Sequence, residues 1–416
     1  MASDPLGSLF DLIRSTPGAE LNRVAVEEFS GAGRGVRVKT AIQSGQVAIG
    51  IPHKFIITAN VSSPCLSDDS EVYRKWIMKM GKILSGAELL SLILLRLLER
   101  SRSNLSPSDW RSLYLRTLPL EYTTISYWSE ADKKMFSAAS SVLAEELETA
   151  ERTCKISCEK IRQATGGRYA MEDIEWAYWT IETRGCYHRL GGVCLVPLGD
   201  MVNHSAEAYS TENCGKCGMQ NRCGNYNVRE HRYEFTAMRD YNENEQFFVV
   251  YSGCASTDLL MRYGFSTLTS HLNAENCQFE SVRVSPGKLW SSGDAVQQLI
   301  EGGLFVCVDG SLSHSFATTA RLKIARDHGV TASLKNVVVG DSLGNVEHEQ
   351  EARELCGDVI QEEIDSRLRA LSGRSGSGVV RGFLRGQVAI LQRALRKLKG
   401  KMSVAAPKAD GEMAKE

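Results

Sequence analysis

The segment PLGDMVNHS at residues 197–205 begins in apolar residues and ends in the polar pair Asn203-His204. Farther along the chain, QFFVVY at residues 246–251 is an aromatic, β-prone segment that ends in Tyr251. Short strands that present polar groups at their ends are typical of a pocket built from β segments. Each segment alone also has a simpler interpretation. An Asn-His pair after a strand is commonly a loop, and a tyrosine at a strand end is commonly an edge aromatic.

The composition is that of a globular chain with about two domains. The chain has 416 residues, of which 43% are hydrophobic and 24% charged, and its formal net charge is −1. With a net charge so close to zero, the protein as a whole does not attract nucleic acid or an anionic membrane electrostatically, so we expect neither as a partner. The longest apolar block, residues 89–98, is too short to span a bilayer and contains Arg96.

The N-terminal residues and the cysteines favour a reducing compartment. Residues 1–5 contain no basic stretch that leads into an apolar core, so no secretory signal is visible. Without such a signal, most of the 12 cysteines are expected to be free thiols. We therefore expect a cytoplasmic or nuclear protein that acts as a monomer.

A glycine-rich turn, SGAGRG at residues 30–35, lies between two short segments with β-strand character. A dinucleotide-binding fingerprint needs a third glycine at a different spacing and a helix behind it, whereas here another strand begins near Val36. The dinucleotide interpretation therefore fails. Either the segment is a plain tight turn, or its glycines let a ligand approach the backbone closely because they lack a Cβ atom.

Taken together and in this order, the segments resemble the SET-domain protein methyltransferases. Asn203-His204 matches the family's NHS motif, and Tyr251 matches its catalytic tyrosine. The tripeptide YGF at residues 263–265 lies where the family's non-histone class has the same letters. In the Rubisco large-subunit methyltransferase-like class a W..YL..LP pattern opens a helical insertion, and residues 110–119 of this chain are similar to it.

The resemblance implies an α+β fold, in which a SET-domain β-fold of short strands carries a helical insertion and is followed by a mainly helical domain. We place the SET domain at residues 21–270, with the insertion at about 65–183. The helical domain, which in this class binds the substrate, is placed at residues 273–398. A disordered tail is expected at residues 399–416, which are poor in aromatic side chains.

Capping and periodicity predict the helices. Ser85 with Glu88 three residues later is a capping box, and it predicts a helix from about residue 86 to 101. The nearly unbroken leucines of this helix imply burial on most of its faces. Other predicted helices cover residues 70–82, a segment capped by Ser129, and residues 145–160, 171–183, 295–300, 316–328, 347–371 and 379–397.

The resemblance further implies transfer of a methyl group from S-adenosylmethionine to a side chain, most commonly a lysine, of a non-histone protein. A free lysine has a pKa near 10.4, so holding it neutral near pH 7 costs about 4.6 kcal/mol. Burial in a narrow aromatic channel lowers the pKa of the amine. By the resemblance, Tyr251 orients the amine as the catalytic residue. Tyr263 and Phe265 either wall the substrate channel or simply pack.

The same resemblance supplies candidates for the cofactor site. Gly33-Arg34-Gly35 is similar to the family's GxG turn, and Arg184 lies where the family has an arginine near the amino-acid end of the cofactor. A cation at a helix C-terminus, where Arg184 is predicted, is also favoured by the helix dipole alone. Asp200 either joins this site or braces its loop. The cofactor-binding candidates are therefore Gly33, Arg34, Gly35, Arg184, Asp200, Asn203, His204 and Tyr251.

A cysteine-rich insertion departs from the family pattern. Cys214, Cys217 and Cys223 have the spacing of half a zinc knuckle, and a fourth ligand would have to come from His231, Cys254 or elsewhere. The alternative is an exposed loop without metal, so zinc stays an open question at this point.

Two classes of function remain open. The first is an active protein methyltransferase, and the second is a catalytically silent SET-like module that binds a partner protein. The joint presence of Arg184, Asn203, His204 and Tyr251 favours the enzyme, because a binding module needs none of them. The substrate protein, the choice of lysine or histidine as acceptor and the number of methyl groups cannot be read from the sequence.

Overall fold

The chain forms two compact units. The computed structural model describes residues 4–60, 63–188, 192–208, 224–251, 255–268, 280–289, 303–329, 337, 342–373 and 376–404. The first unit comprises Met1–Tyr127, Ala150–Cys254 and Met261–Gly264, and the second comprises Trp128–Thr149, Ala255–Leu260 and Phe265–Glu416. Residues 128–149, which the sequence analysis assigns to the helical insertion, thus group with the second unit.

Short strands make up the β-structure of the first unit. In chain order they are β1 (Val24–Phe29), β2 (Gly33–Val38), β3 (Val47–Pro52), β4 (Ile57–Thr58), β5 (Cys186–His188), β6 (Gly192–Leu195), β7 (Asn203–His204), β8 (Gly224–Asn227), β9 (Arg232–Thr236) and β10 (Gln246–Val249). They pair in the orders β1-β2-β10-β7, β3-β9-β8 and β4-β6-β5. Small sheets of this kind are what the α+β prediction requires.

The glycine-rich turn connects two antiparallel strands. β1 pairs with β2 in a register that sets Phe29 opposite Gly33. Gly31 and Gly33 have φ angles of 77° and 66°, which glycine adopts without steric cost. A strand therefore follows the turn, which agrees with the rejection of a dinucleotide-binding fingerprint.

Helices contribute to both units. In chain order they are α1 (Pro5–Arg14), α2 (Glu71–Met80), α3 (Gly86–Ser103), α4 (Trp110–Thr117), α5 (Glu130–Ala139), α6 (Ser141–Ala164), α7 (Met171–Arg184), α8 (Ser256–Tyr263), α9 (His314–Asp327), α10 (Val346–Ser372) and α11 (Gly378–Val404). The helices predicted in the insertion are confirmed to within a few residues. The one predicted at residues 295–300 lies outside the described residues.

The predicted capping box opens α3. The Glu88 amide donates to Ser85 Oγ at 3.2 Å, and the Ser85 amide donates to Glu88 Oε2 at 2.8 Å. These bonds satisfy two of the amides that a helix N-terminus leaves unpaired. Residues 89–95 are buried without interruption, and α3 packs against α7. The leucine-rich sequence of α3 therefore makes it a central helix of the first unit.

The second unit is mainly helical and contains one antiparallel pair, β11 (Ser281–Val284) with β12 (Leu304–Cys307), among its described residues. The long helix α10 packs against α5, α9 and α11. Its buried Arg367 pairs with Glu363 and donates to Gln387 Oε1 at 2.8 Å. The helix α11 continues to Val404, five residues beyond the point at which the sequence predicts a disordered tail.

No helix within the described ranges has the length and apolar character needed to cross a membrane.

Candidate functional site

Parallel pairing between β7 and β10 brings the two signature segments together. Asn203 pairs with Phe248, and His204 pairs with Val249. The strand β10 also pairs antiparallel with β2, so the Gly33–Val38 strand lies in the same sheet. Residues separated by about 170 positions in the sequence thereby become neighbours.

Asn203 lies directly against the glycine-rich strand. Its side-chain Nδ2 donates to the carbonyl oxygen of Arg34 at 3.1 Å. A Cβ atom at Gly35 would lie only 2.8 Å from this nitrogen and 2.2 Å from Gln246 Nε2. Glycine is thus required at position 35 by a close approach inside the protein. Gly35 is therefore needed for packing within the protein, whether or not a ligand also approaches its backbone.

His204 is held neutral against Tyr251. Its Nδ1 accepts a hydrogen bond from the Tyr251 backbone amide at 2.9 Å, which requires an unprotonated Nδ1. Burial lowers the pKa of His204 to about 4, so the imidazole is neutral at physiological pH. The ring of His204 therefore acts as a fixed acceptor that positions the residue after β10.

The Tyr251 side chain is fixed at its hydroxyl and at its ring. The hydroxyl donates to the Val202 carbonyl oxygen at 2.7 Å, and the ring centroid lies 4.7 Å from that of Tyr263. Burial raises the pKa of Tyr251 above its ordinary value, with the nearby Arg184 acting in the opposite direction. Tyr251 is therefore a neutral phenol with a defined orientation.

Arg184, the last residue of α7, forms an ion pair with Asp200. Its Nη1 lies 3.2 Å from Asp200 Oδ2 and donates to the Asp200 carbonyl oxygen at 3.0 Å. The Asp200 side chain is fully buried and also accepts a hydrogen bond from the Tyr114 hydroxyl at 3.0 Å. The preceding turn is strained, because Leu198 has a φ of 69°, a left-handed conformation that is rare for leucine.

Burial and mutual attraction both shift the pKa values of this pair. Burial raises the pKa of Asp200, and Arg184 and the Tyr114 hydrogen bond counteract that increase. Burial disfavours the charge on Arg184, but Asp200 acts with the nearby Tyr122, Tyr114 and Tyr251 in the opposite direction, and together they hold the pKa of Arg184 above its usual range. The buried atoms Arg184 Nε and Asp200 Oδ1 have no hydrogen-bond partner among the described residues. They can therefore bind a polar ligand.

A cavity of about 330 Å³ collects several of these side chains. Its walls include Arg184, Asp200, Val202, Tyr233, Tyr251 and Tyr263. This volume falls within the range of small-molecule sites, and the lining mixes aromatic rings with a few polar groups, as such sites do. Asn203, His204 and the Gly33–Gly35 segment lie in the adjoining sheet and are not among the described wall residues.

The remaining candidate residues do not line this cavity among the described residues. Phe265 belongs to the second unit, so its predicted place beside Tyr263 stays a prediction. Cys214, Cys217 and Cys223 lie outside the described residues. Within the part of the chain that the structure describes, no three His, Cys, Asp or Glu side chains are arranged to hold a metal ion. Zinc binding therefore also stays a prediction.

Sequence reasoning missed three polar residues of the site. Tyr114 was quoted only as part of a family pattern, and nothing in its spacing indicates the bond to Asp200. Glu182 and Arg262 also line the cavity. Burial raises the pKa of Glu182, and Arg262 counteracts this. Glu182 lies two residues before Arg184 on α7. This closeness to Arg184 was the only feature of the sequence that could have indicated its place at the cavity.

Comparison with solved structures identifies the fold. The SET domain of LSMT bound to MeLysine and AdoHcy superposes with a TM-score of 0.64 and 17% identity, covering 96% of this chain and 93% of that one. Rubisco LSMT bound to AdoMet gives a TM-score of 0.63, with coverage of 96% and 92%. The chain has the SET-domain fold of Rubisco LSMT. The predicted α+β class with its helical C-terminal part is confirmed.

Sequence comparison finds relatives that are 23–24% identical to this chain. The actin-histidine N-methyltransferase of Danio rerio is 24% identical over 259 residues, which is 58% of this chain and 39% of that protein. The Homo sapiens protein of the same name is 23% identical over 273 residues, 60% of this chain and 41% of that protein. This chain thus spans about two fifths of the length of these relatives.

The Arabidopsis thaliana protein SET DOMAIN GROUP 40 matches over a longer region. It is 23% identical over 373 residues, which is 82% of this chain and 70% of that protein. No model of a known protein family matches the chain.

Proposed function

We propose that this chain transfers a methyl group from S-adenosylmethionine to a side chain of a protein substrate. The observation that carries the proposal is Tyr251, whose hydroxyl is fixed on Val202 at the wall of the cavity that also contains Arg184. The SET-domain fold supports it, since the Rubisco LSMT structures of that fold contain AdoMet or AdoHcy. The proposal is also supported by the similarity of the chain to proteins named actin-histidine N-methyltransferase.

The cofactor would be held by Arg184 and Asn203, with the Gly33–Gly35 strand and His204 beside them. The buried pair Arg184–Asp200 fits the amino-acid end of such a cofactor, because it retains an unpaired donor and an unpaired acceptor among the described residues. A guanidinium can bind a carboxylate through charge-assisted hydrogen bonds. S-adenosylmethionine supplies an electrophilic methyl group on its sulfonium.

Tyr251 would orient the methyl acceptor. Since burial raises its pKa, the phenol stays protonated and presents oxygen lone pairs of fixed direction while its proton bonds to Val202. An amine or imidazole donor directed by those lone pairs is aligned for attack, which contributes proximity and orientation to the rate. Tyr263, whose ring lies tilted by 32° against that of Tyr251 at a centroid distance of 4.7 Å, would exclude water from one side of the acceptor.

The acceptor that we propose first is a lysine. Burial of the acceptor among the aromatic rings that line the cavity would lower the cost of presenting a neutral amine, which is otherwise about 4.6 kcal/mol near pH 7. LSMT of the same fold has been solved with lysine bound. Histidine is the second candidate, because the relatives found by sequence are named for histidine in actin.

A labelling experiment tests the reaction and the acceptor together. The protein is incubated with methyl-labelled S-adenosylmethionine and a cell lysate, and the labelled protein is identified and its modified side chain located by mass spectrometry. Label on lysine supports the first proposal and label on histidine the second. If no protein is labelled although S-adenosylmethionine binds, the chain is a silent SET-like binding module and the proposed activity is wrong.

Tyr251→Phe separates catalysis from folding. The change keeps the ring and removes the hydroxyl, so cofactor binding should survive while turnover drops by roughly 100-fold, the scale for a positioned catalytic group. Tyr241→Phe is the matched control. Tyr241 is also buried and donates to a backbone carbonyl, that of Phe248 at 3.2 Å. Normal turnover in Tyr251→Phe would make this tyrosine structural.

A further inference from the structure

The Tyr114 hydroxyl is connected to Arg184 through one carboxylate. Tyr114 lies on α4 with 0% of its surface exposed, and its hydroxyl donates to Asp200 Oδ2 at 3.0 Å. The same oxygen lies 3.2 Å from Arg184 Nη1. Asp200 thus holds a tyrosine of the helical insertion on one side and the arginine of the cavity wall on the other.

We propose that Tyr114 is a positioning residue, which fixes the direction of the Arg184 guanidinium through Asp200 so that Arg184 can bind the carboxylate of the cofactor's amino-acid end. This inference rests on the proposed function. It assigns a role to a residue that is not itself among the described wall residues and that reaches the cavity wall through Asp200.

The need for such a residue follows from how Arg184 is held. Two hydrogen bonds of its guanidinium run from Nη1 to Asp200, one to the backbone and one to the side chain, and the Tyr122 hydroxyl also interacts with the guanidinium. The Asp200 carboxylate can rotate about its Cβ–Cγ bond, and its Oδ1 has no partner among the described residues to prevent this. The Tyr114 hydroxyl is then the contact that sets the Asp200 rotamer.

The buried location makes the contact consequential. In a site of low dielectric constant, a hydrogen bond to a charged group is worth more than one in water. Without the hydroxyl, Arg184 is the described partner that remains on Oδ2, so the carboxylate is held less firmly. The guanidinium would keep its charge and its bond to the Asp200 backbone carbonyl, but its side-chain partner would no longer fix its direction toward a ligand.

Two ligands, one with and one without the amino-acid end, test this role. S-adenosylhomocysteine has that end, whereas 5′-methylthioadenosine has the same nucleoside and sulfur but neither the carboxylate nor the amine. In the full chain with Tyr114→Phe, we expect the dissociation constant of S-adenosylhomocysteine to rise about tenfold, the scale for one hydrogen bond to a charged group. The constant for 5′-methylthioadenosine should stay within about twofold of the wild-type value.

Tyr241→Phe provides the control for the loss of one buried hydroxyl and should leave both constants unchanged. If Tyr114→Phe does not fold, Asp200→Asn is measured with the same two ligands and should also weaken S-adenosylhomocysteine selectively. Equal weakening of both ligands would indicate a general loosening of the fold and would overturn the positioning role. Wild-type affinity for S-adenosylhomocysteine in Tyr114→Phe would overturn it as well.

The design distinguishes the inference from the proposed function. If the wild-type protein binds S-adenosylhomocysteine and Arg184→Ala weakens it while Tyr114→Phe does not, only the role of Tyr114 is wrong. If the wild-type protein binds neither ligand, the proposed methyltransferase function is wrong and the inference is overturned with it.

Discussion

Gly35→Ala should disturb the candidate site through packing alone. An ideal Cβ at position 35 would lie 2.2 Å from Gln246 Nε2, 2.8 Å from Asn203 Nδ2 and 2.9 Å from Phe29 Cδ2. All three distances are shorter than a van der Waals contact, so neighbours from three separate strand segments must move. The Gln246 amide is the end of a flexible side chain, but Asn203 is tied to the Arg34 carbonyl.

The expected cost follows from these contacts. Overpacking of a well-filled site costs about 1–3 kcal/mol. If Asn203 moves, its hydrogen bond to Arg34 is lost as well, at about 1 kcal/mol. We therefore expect Gly35→Ala to lower the free energy of unfolding of the first unit by about 2–4 kcal/mol. Affinity for S-adenosylmethionine should fall with it, if Asn203 binds the cofactor.

The measurement must follow the first unit, because a chain with two compact units need not unfold in one step. Hydrogen exchange of the β2 and β10 amides at increasing urea concentrations reports the local free energy of opening. Gly86→Ala is the matched control in the same unit. Its Cβ would meet nothing nearer than Val193 Cγ1 at 3.8 Å, and a helical alanine should be neutral or slightly stabilising. Equal protection in the two variants would refute the packing argument around Asn203.

Three further outcomes are expected. The pKa of His204 is about 4 in the folded protein and near 6.5 in the unfolded chain. The urea midpoint of the wild-type protein should therefore be constant above pH 6.5 and fall as the pH drops toward 4. The variant His204→Asn should show a smaller decline. Arg367→Met should destabilise the second unit by about 3–5 kcal/mol in thermal unfolding, because it leaves the buried Glu363 carboxylate without its ion-pair partner. The double variant Arg367→Met/Glu363→Gln should recover part of this loss. For the cysteine loop, elemental analysis of untagged protein should find near one zinc per chain, lost in Cys214→Ser/Cys217→Ser, and a value well below one would exclude the knuckle.

Local signals in the sequence predicted the individual elements well. Ser85 and Glu88 mark the start of α3 because a capping box depends only on residues three apart. The strand after the glycine-rich turn and the helix ending at Arg184 likewise follow from short patterns. Most of these helices end within a few residues of the predicted boundary, which is close to the scatter that different definitions of a helix end give.

Contacts between distant residues could not be predicted from such patterns. The bond from Tyr114 to Asp200 joins a helix of the insertion to a turn 86 positions later, and no spacing rule connects them. The left-handed backbone of Leu198 is equally hidden, because leucine has no preference for that conformation and adopts it only when its surroundings impose it. The family resemblance located Asp200 and Arg184, but it did not predict that they would pair with each other.

The two-residue strand β7 explains why an Asn-His pair can serve two parts of one site. Successive side chains of a strand point to opposite faces, so Asn203 and His204 cannot share a neighbour on the same face. The structure agrees, since Asn203 bonds to Arg34 in the glycine-rich strand whereas His204 bonds to the amide of Tyr251. The parallel register, Asn203 with Phe248 and His204 with Val249, fixes which residue takes which face. A shift of the pairing by one position would exchange the two faces. The Arg34 carbonyl would then lose the Asn203 side-chain amide, and the Tyr251 backbone amide would lose the His204 ring nitrogen that accepts its hydrogen bond.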